Sequence, residues 1–262
     1  MKRGYVDSDM GQMHYWKTGS GPNLVLLHQS TQTAEEYKDM APYLADKYTV
    51  WAIEWLGHGM TDDPTREPEM GDYTRTVIQA MDALGIDKAA LLGHHGGGSI
   101  CIDIAAQQPD RVTHIVASGT GHRSPEELEG LLKHRTDTAQ PEITADGAFL
   151  NKMWDIYATL GGPNTPMSLM HRIFLVNMKE RMRPYDAHDP ILKWNKAEAC
   201  AKLTCPVLLL QGELDTFVTG QAHLLDVIPD SRRVVMDGIG AFLFYEAPEE
   251  IAKVVDEFIE GS

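Results

Sequence analysis

The residues best suited to chemistry in this chain are two adjacent histidines set among glycines. Leu91-Leu92-Gly93-His94-His95-Gly96-Gly97-Gly98 joins a strand-like run to a helix-like one. Glycines around a single central residue permit a very tight strand-to-helix turn, which lifts that residue's side chain above the sheet edge. The same turn aims the first N–H groups and positive dipole end of the helix at whatever occupies that edge. His95 presented in this way is a candidate general base or nucleophile. A glycine-rich turn could also cradle phosphate, but no Lys-Ser or Lys-Thr pair follows at P-loop spacing. Nor does an acidic residue stand where a dinucleotide-binding fold needs one. Metal binding is not expected from the eleven histidines. His94, His95 and His28 lie on different turns without an acidic ligand at metal spacing, and no His-x-x-x-His pair occurs.

Such a turn needs a scaffold, and the periodicity of the chain provides one. Short apolar, β-branched runs alternate with longer helical patterns, as in a parallel sheet with crossover helices. Residues 11–18 alternate and follow a turn signal at Asp7 to Asp9, which predicts an N-terminal hairpin. Further strands are predicted at 23–28, 49–54, 88–92 and 112–117, with helices over 33–46 and about 72–84, and one from about 96. After Gly121 the alternation stops. Residues 122–200 are rich in helix formers and methionines, hold no strand-like run, and read as a helical insertion. The alternation returns with a strand at 206–211, a helix near 218–227 and a strand at 232–236. A C-terminal helix over 247–259 carries Ile251, Val254, Val255 and Phe258 on one apolar stripe.

A length of 262 residues suits one large domain or a core with an inserted lid. The net charge of −15 repels phosphate backbones and anionic bilayers, so nucleic acid and membrane partners are disfavoured. A small-molecule substrate is the expected partner, and a homodimer is left open. Cys101, Cys200 and Cys205 form no framework, which points to a reducing compartment. No apolar segment follows the charged N-terminus, and the longest apolar runs are too short to span a bilayer. A cytoplasmic location is expected.

With these elements in place, the chain resembles the α/β-hydrolase superfamily. Gly93-His94-His95-Gly96-Gly97 matches its G-x-S-x-G elbow, with His95 in the serine position. Leu26-Leu27-His28-Gln29-Ser30 is similar to the His-Gly-x oxyanion segment, with Gln29 in place of glycine. Glu54-Trp-Leu-Gly-His-Gly-Met-Thr-Asp62 is similar to the D-x-x-G-x-G-x-S-D loop. Gln211-Gly-Glu-Leu-Asp215 matches the segment carrying the triad acid. Gly238-Ile-Gly-Ala-Phe-Leu-Phe-Tyr-Glu-Ala-Pro248 matches the segment carrying the catalytic histidine, with Ala241 in its place. The resemblance implies an α/β-hydrolase fold, with a mostly parallel central sheet flanked by helices. Its core would comprise residues 1–121 and 198–262, and a helical cap residues 122–197. It implies no cofactor.

The departures bear on function more than the matches do, since fold alone grants no activity. A serine nucleophile needs an imidazole base and a carboxylate to orient it. Of the three, only Asp215 stands in its family position. A histidine side chain reaches farther than serine, so His95 could occupy the space vacated at Ala241 and pair directly with Asp215. Backbone N–H groups survive side-chain change, so the amides of Ser30 and Gly96 remain an expected oxyanion hole. The resemblance puts His28 and Gln29 beside the substrate, where either could contact it or brace the loop. In the insertion, Trp154 and Tyr157 are candidate substrate contacts, although apolar stripes at helical spacing are more often core. His171, Arg172, Arg183 and His188 are candidate polar anchors. The expected function is hydrolysis, C–C cleavage or proton abstraction on a small, largely apolar carbonyl or ester compound. The alternatives are a ligand-binding protein without chemistry, or a hydrolase disabled by substitution at Ala241.

Overall fold

Asp9 and Met10 turn β1 (Lys2–Ser8) back onto β2 (Gly11–Thr18), and Ser8 Oγ closes the turn by donating to Gly11 O at 2.7 Å. This is the predicted hairpin. The computed structural model describes residues 1–135, 143–215 and 220–261. Its sheet continues with β3 (Asn23–Leu27), β4 (Thr49–Ile53), β5 (Ala89–His94), β6 (Val112–Ser118), β7 (Val207–Gly212) and β8 (Ser231–Met236). The eight strands lie in the order β1-β2-β4-β3-β5-β6-β7-β8. β2 runs antiparallel to β1 and β4, and every other neighbouring pair is parallel. β5 and β7 are buried at every position, as expected for parallel strands covered on both faces.

The helices are α1 (Ala41–Leu44), α2 (Met70–Ala83), α3 (Gly96–Gln107), α4 (Pro125–Arg135), α5 (Ala148–Tyr157), α6 (Met167–Glu180), α7 (His188–Lys193), α8 (Lys196–Cys200), α9 (Leu243–Glu246) and α10 (Pro248–Glu260). One face of the sheet packs Val25, Leu91 and Ile115 against Val77 of α2 and Ile100 and Ile104 of α3. The other packs Leu24, Leu92 and Leu208 against Leu44 of α1 and Ile251, Val255 and Phe258 of α10. Between β6 and β7 the described residues form α4 to α8 and no strand. No helix among the described residues is long and apolar enough to cross a membrane.

Two helices differ from expectation. The single helix predicted over 33–46 is a 3-10 turn at Ala34–Tyr37 followed by α1. Pro42 has no N–H to donate and its ring opposes a continuous helix, so the chain stops and restarts with proline in the first turn. The helix predicted near 218–227 is a 3-10 helix at Gln221–Asp226; its first two predicted residues lie outside the described residues.

Polar contacts tie the α6 region to the core. Asn177 Nδ2 donates to Thr31 Oγ1 at 2.6 Å, and Glu180 Oε2 accepts from Gly59 N at 3.0 Å. Arg172 pairs with Glu35 and Asp39, and Arg183 with Asp63 and Glu180. Two of the candidate anchors, Arg172 and Arg183, are therefore engaged in ion pairs between the insertion and the core. His188 pairs locally with Asp186.

Beneath this seam, His28 and Trp55 stack, with His58 against both rings. Burial drives the His58 imidazole down to about 3 from its ordinary 6.5. A histidine held neutral by the fold supports stability above its unfolded pKa and withdraws that support as pH falls toward its folded one. Melting temperature should accordingly fall between about pH 7 and pH 4. His58→Leu should flatten that slope while lowering stability at neutral pH, measured by thermal melts across the range. An unchanged slope in the variant would exclude His58 as a source of acid sensitivity.

Candidate active site

In a regular strand, consecutive side chains point to opposite faces. His94 ends β5, and His95 leaves it with φ 45° and ψ −105°, a left-handed backbone that non-glycine residues rarely adopt. The kink swings the second ring back toward the first, leaving their centroids 4.2 Å apart. His95 N–H donates to Ser118 O at 2.8 Å, which locks the turn to the end of β6. Glycine is required at 97 because a Cβ there would strike the carbonyls of Leu27 and His28. The start of α3 thus lies directly against the end of β3.

The His95 ring lies over Gly119 and meets Asp215 on the turn after β7. Its Nε2 is 2.8 Å from Asp215 Oδ2. Asp215 is buried, and the His95 side chain keeps 17% exposure. Gly119, at φ 58°, is the floor of this contact: a Cβ there would take the place of His95 Cδ2 and Nε2. The elbow, β6 and the β7 turn together hold the pair at the carboxyl edge of the parallel strands, the usual location of sites in open α/β sheets.

Gly96 is the first residue of α3, and its N–H has no acceptor within the helix. Ser30 packs against it, with Ser30 N 3.7 Å and Ser30 Oγ 2.6 Å from where a Cβ on Gly96 would stand. The two expected oxyanion-hole residues are therefore neighbours. Ile191 of α7 covers the same glycine, with Cδ1 3.1 Å from that point. The 28–32 loop is pinned from several sides. Glu36 Oε2 accepts from Gln29 N at 2.9 Å and Glu36 Oε1 from Gln29 Nε2 at 3.0 Å. Tyr245 donates to Gln32 Oε1 at 2.8 Å, and Thr31, at φ 64°, is held by Asn177.

The residues expected to contact substrate are engaged with other protein groups. Gln29 turns inward and braces the loop on Glu36, because a buried carboxylate offers its amide a better partner than solvent does. His28 is fully buried, stacked on Trp55, with Nδ1 2.8 Å from Gln29 O, so it presents no accessible surface. Tyr157 packs with Phe174 and Phe242, and its hydroxyl accepts from Arg181 at 3.0 Å. Trp154 packs edge-on against Phe174 in the same cluster. The helical stripe is core here.

Ala241 is buried, with its N–H donating to Leu160 O at 2.9 Å. Glu246 brackets it, accepting from Gly240 N at 3.3 Å and Phe242 N at 3.2 Å.

Below the elbow, His94 Nδ1 is 2.6 Å from Glu36 Oε1, with both side chains fully buried. Burial pushes the Glu36 carboxyl up to about 7, against the lowering pull of its hydrogen bonds from Gln29. Burial also holds the His94 imidazole well below its usual range. The expectation that no acidic group stands at metal spacing is overturned. His94, His95 and Asp215 each offer a ligand atom, and these lie within 4.8 Å of one another. Spacing along the chain cannot reveal an acid supplied 120 residues away.

Sequence reasoning missed Glu36, Gly119 and Ile191. Glu36 falls in a segment predicted as an ordinary amphipathic helix, and Ile191 in a short apolar run among polar neighbours. Gly119 left only a faint signal, a glycine directly after a buried strand.

A family profile described as the alpha/beta hydrolase fold matches residues 22–248. The chain belongs to the α/β-hydrolase fold family. Among curated relatives it is 24% identical to 2-(acetamidomethylene)succinate hydrolase of Mesorhizobium japonicum, over 98% of this chain and 94% of that one. It is 25% identical to haloalkane dehalogenase 2 of Mycobacterium tuberculosis, over 97% and 93%. Among solved structures, the enol-lactonase from Burkholderia xenovorans superposes with a TM-score of 0.78 at 20% identity, covering 98% of this chain and 100% of that one. An esterase from Thermogutta terrifontis gives 0.80 at 19%, covering 100% and 99%. The family and its hydrolase relatives support an enzyme.

Because the His95 ring occupies the space above residue 119, Gly119→Ala should displace it from Asp215. The added methyl should cost about 1–3 kcal/mol by overpacking. Thermal denaturation measures the cost, and imidazole ¹⁵N NMR of His95 should report loss of the hydrogen bond to Asp215. An unchanged His95 signal would rule out the described ring position.

Proposed function

We propose that this hydrolase-fold chain uses His95 and Asp215 as a two-residue general-base unit in which one imidazole does the work of the family's missing histidine. The observation that carries this reading is the 2.8 Å contact between His95 Nε2 and Asp215 Oδ2. With Nε2–H donated to a buried carboxylate, the ring's lone pair falls on Nδ1. The carboxylate fixes that tautomer and stabilises the imidazolium that forms when Nδ1 accepts a proton.

The substrate class is a small, largely apolar ester, lactone or β-dicarbonyl compound. For an ester, His95 Nδ1 takes a proton from water, and the resulting hydroxide adds to the carbonyl carbon. The amides of Gly96 and Ser30 stabilise the oxyanion. Collapse breaks the carbon–oxygen bond, and the departing alkoxide recovers the proton from His95. For a β-dicarbonyl, the same addition is followed by carbon–carbon cleavage, and the departing enolate takes the proton.

One observation favours a second reading, a hydrolase disabled at position 241. Glu246 still holds the backbone on both sides of Ala241, so the turn that would present a histidine is intact.

The test is a turnover screen with p-nitrophenyl acetate, a lactone and a β-diketone. It compares the chain as given with His95→Ala, Asp215→Asn and Ala241→His. The base reading expects turnover in the chain as given, reduced about 100- to 10,000-fold in His95→Ala and also reduced in Asp215→Asn. Turnover appearing only in Ala241→His would replace it with the second reading.

A further inference from the structure

The strand ends beneath the elbow hold polar atoms that neither the base nor the oxyanion hole uses. His94 is fully buried, and its Nε2 has no hydrogen-bond partner among the described residues. Ser118, paired with His94 across β5 and β6, likewise has a buried Oγ without a partner. Buried polar groups are nearly always satisfied, so two such atoms at one strand end require an explanation.

We propose that His94, His95 and Asp215 form a binding site for one divalent first-row transition metal ion, with Glu36 as the carboxylate that orients His94. The proposal goes beyond the base reading and does not depend on it.

Several features of the site fit a metal. Both Glu36 oxygens accept from Gln29, through its backbone N–H and its side-chain amide. With Glu36 ionised, the carboxylate accepts in its 2.6 Å contact with His94, and Nδ1 carries the proton. The lone pair of His94 then lies on Nε2. Metal-ligating histidines characteristically donate their other ring N–H to a carboxylate in this way.

The Nε2 edge of His94 also faces the right way. Its Cδ2 and the Cδ2–Nε2 edge of His95 border the same point above Gly119, while its Nδ1 turns away to Glu36. Adjacent residues could not share a metal from a straight strand; the left-handed kink at His95 makes it feasible. The three ligand atoms lie within 4.8 Å of one another. Tetrahedral ligation at about 2.0–2.2 Å sets such atoms about 3.3–3.6 Å apart, so the widest separation closes by up to about 1.5 Å and the His95–Asp215 pair opens slightly. Two imidazoles and a carboxylate suit zinc, cobalt or iron and leave a coordination position open to water.

Binding has a chemical consequence for His95. The metal takes the place of the proton between Nε2 and Asp215, and the ring's single proton moves to Nδ1. That removes the lone pair on which base catalysis relies, so the metal-loaded form cannot use His95 as a base.

The experiment uses the full chain after chelation, titrated with Zn²⁺ by calorimetry and with Co²⁺ by visible absorption. The expected result is one ion per chain, with a Co²⁺ spectrum of low coordination number. His94→Phe and Asp215→Asn, checked for folding by circular dichroism, should each bind at least about 100-fold more weakly. Glu36→Gln should weaken binding by about 10- to 100-fold. His188→Ala, in an exposed His–Asp pair outside the three proposed ligands, should bind as the parent does. Absence of binding in the parent, or undiminished binding in the folded His94→Phe and Asp215→Asn variants, would overturn the site. Turnover of the chelated chain is read separately. Its absence counts against the base reading alone, and where it is present, added Zn²⁺ should suppress it.

Discussion

A left-handed backbone at a residue with a ring is the constraint around which this site is organised. Such a conformation costs about 1–3 kcal/mol and persists only where the surroundings over-determine it. Here the surroundings are explicit. His95 N–H is tied to Ser118 O, Gly97 admits α3 against the end of β3, and the imidazole has a buried carboxylate waiting across Gly119. Removing the kink would send the His95 side chain to the opposite face from His94 and take its ring away from Asp215. The sheet's parallel register serves this arrangement, since it brings the ends of β3, β5, β6 and β7 to one edge.

A second layer of order lies beneath the first. Glu36 joins the 28–32 loop to the elbow by bonding Gln29 at two points and His94 at a third. Buried polar networks rigidify when their members are satisfied, and most members of this one are. The loop carrying Ser30 and the turn carrying Gly96 are thus positioned by one carboxylate. The insertion contributes through Asn177, which fixes Thr31, and Ile191, which rests on Gly96, while Tyr245 of α9 fixes Gln32.

Much of this was legible in the chain itself because it depends on local patterns. Alternating residues 11–18, the glycines around His95 and the spacing of the five family-like segments locate the strands, the elbow and the acid. The reach of a histidine compared with a serine was enough to expect His95 near Asp215. What escaped notice depends on tertiary partners. Gln29 was readable as a substrate contact until Glu36, seven residues on, was found to hold it. Tyr157 and Trp154 look the same in sequence whether they line a pocket or fill a core, because helical periodicity records burial and not what does the burying. Pro42 carries the signal for the break in the helix predicted over 33–46, but the apolar periodicity on either side of it reads as one continuous helix.

The glycine at 119 also has a meaning for inheritance. A side chain there and a ring at 95 compete for one volume, so neither position can be interpreted without the other. In a descendant that exchanged His95 for something short, the prohibition at 119 would lift, leaving only the positive φ to be accommodated. A descendant that gained bulk at 119 could not keep the imidazole where it lies. The two positions, one on the elbow and one beyond the neighbouring strand, therefore form a single unit of variation.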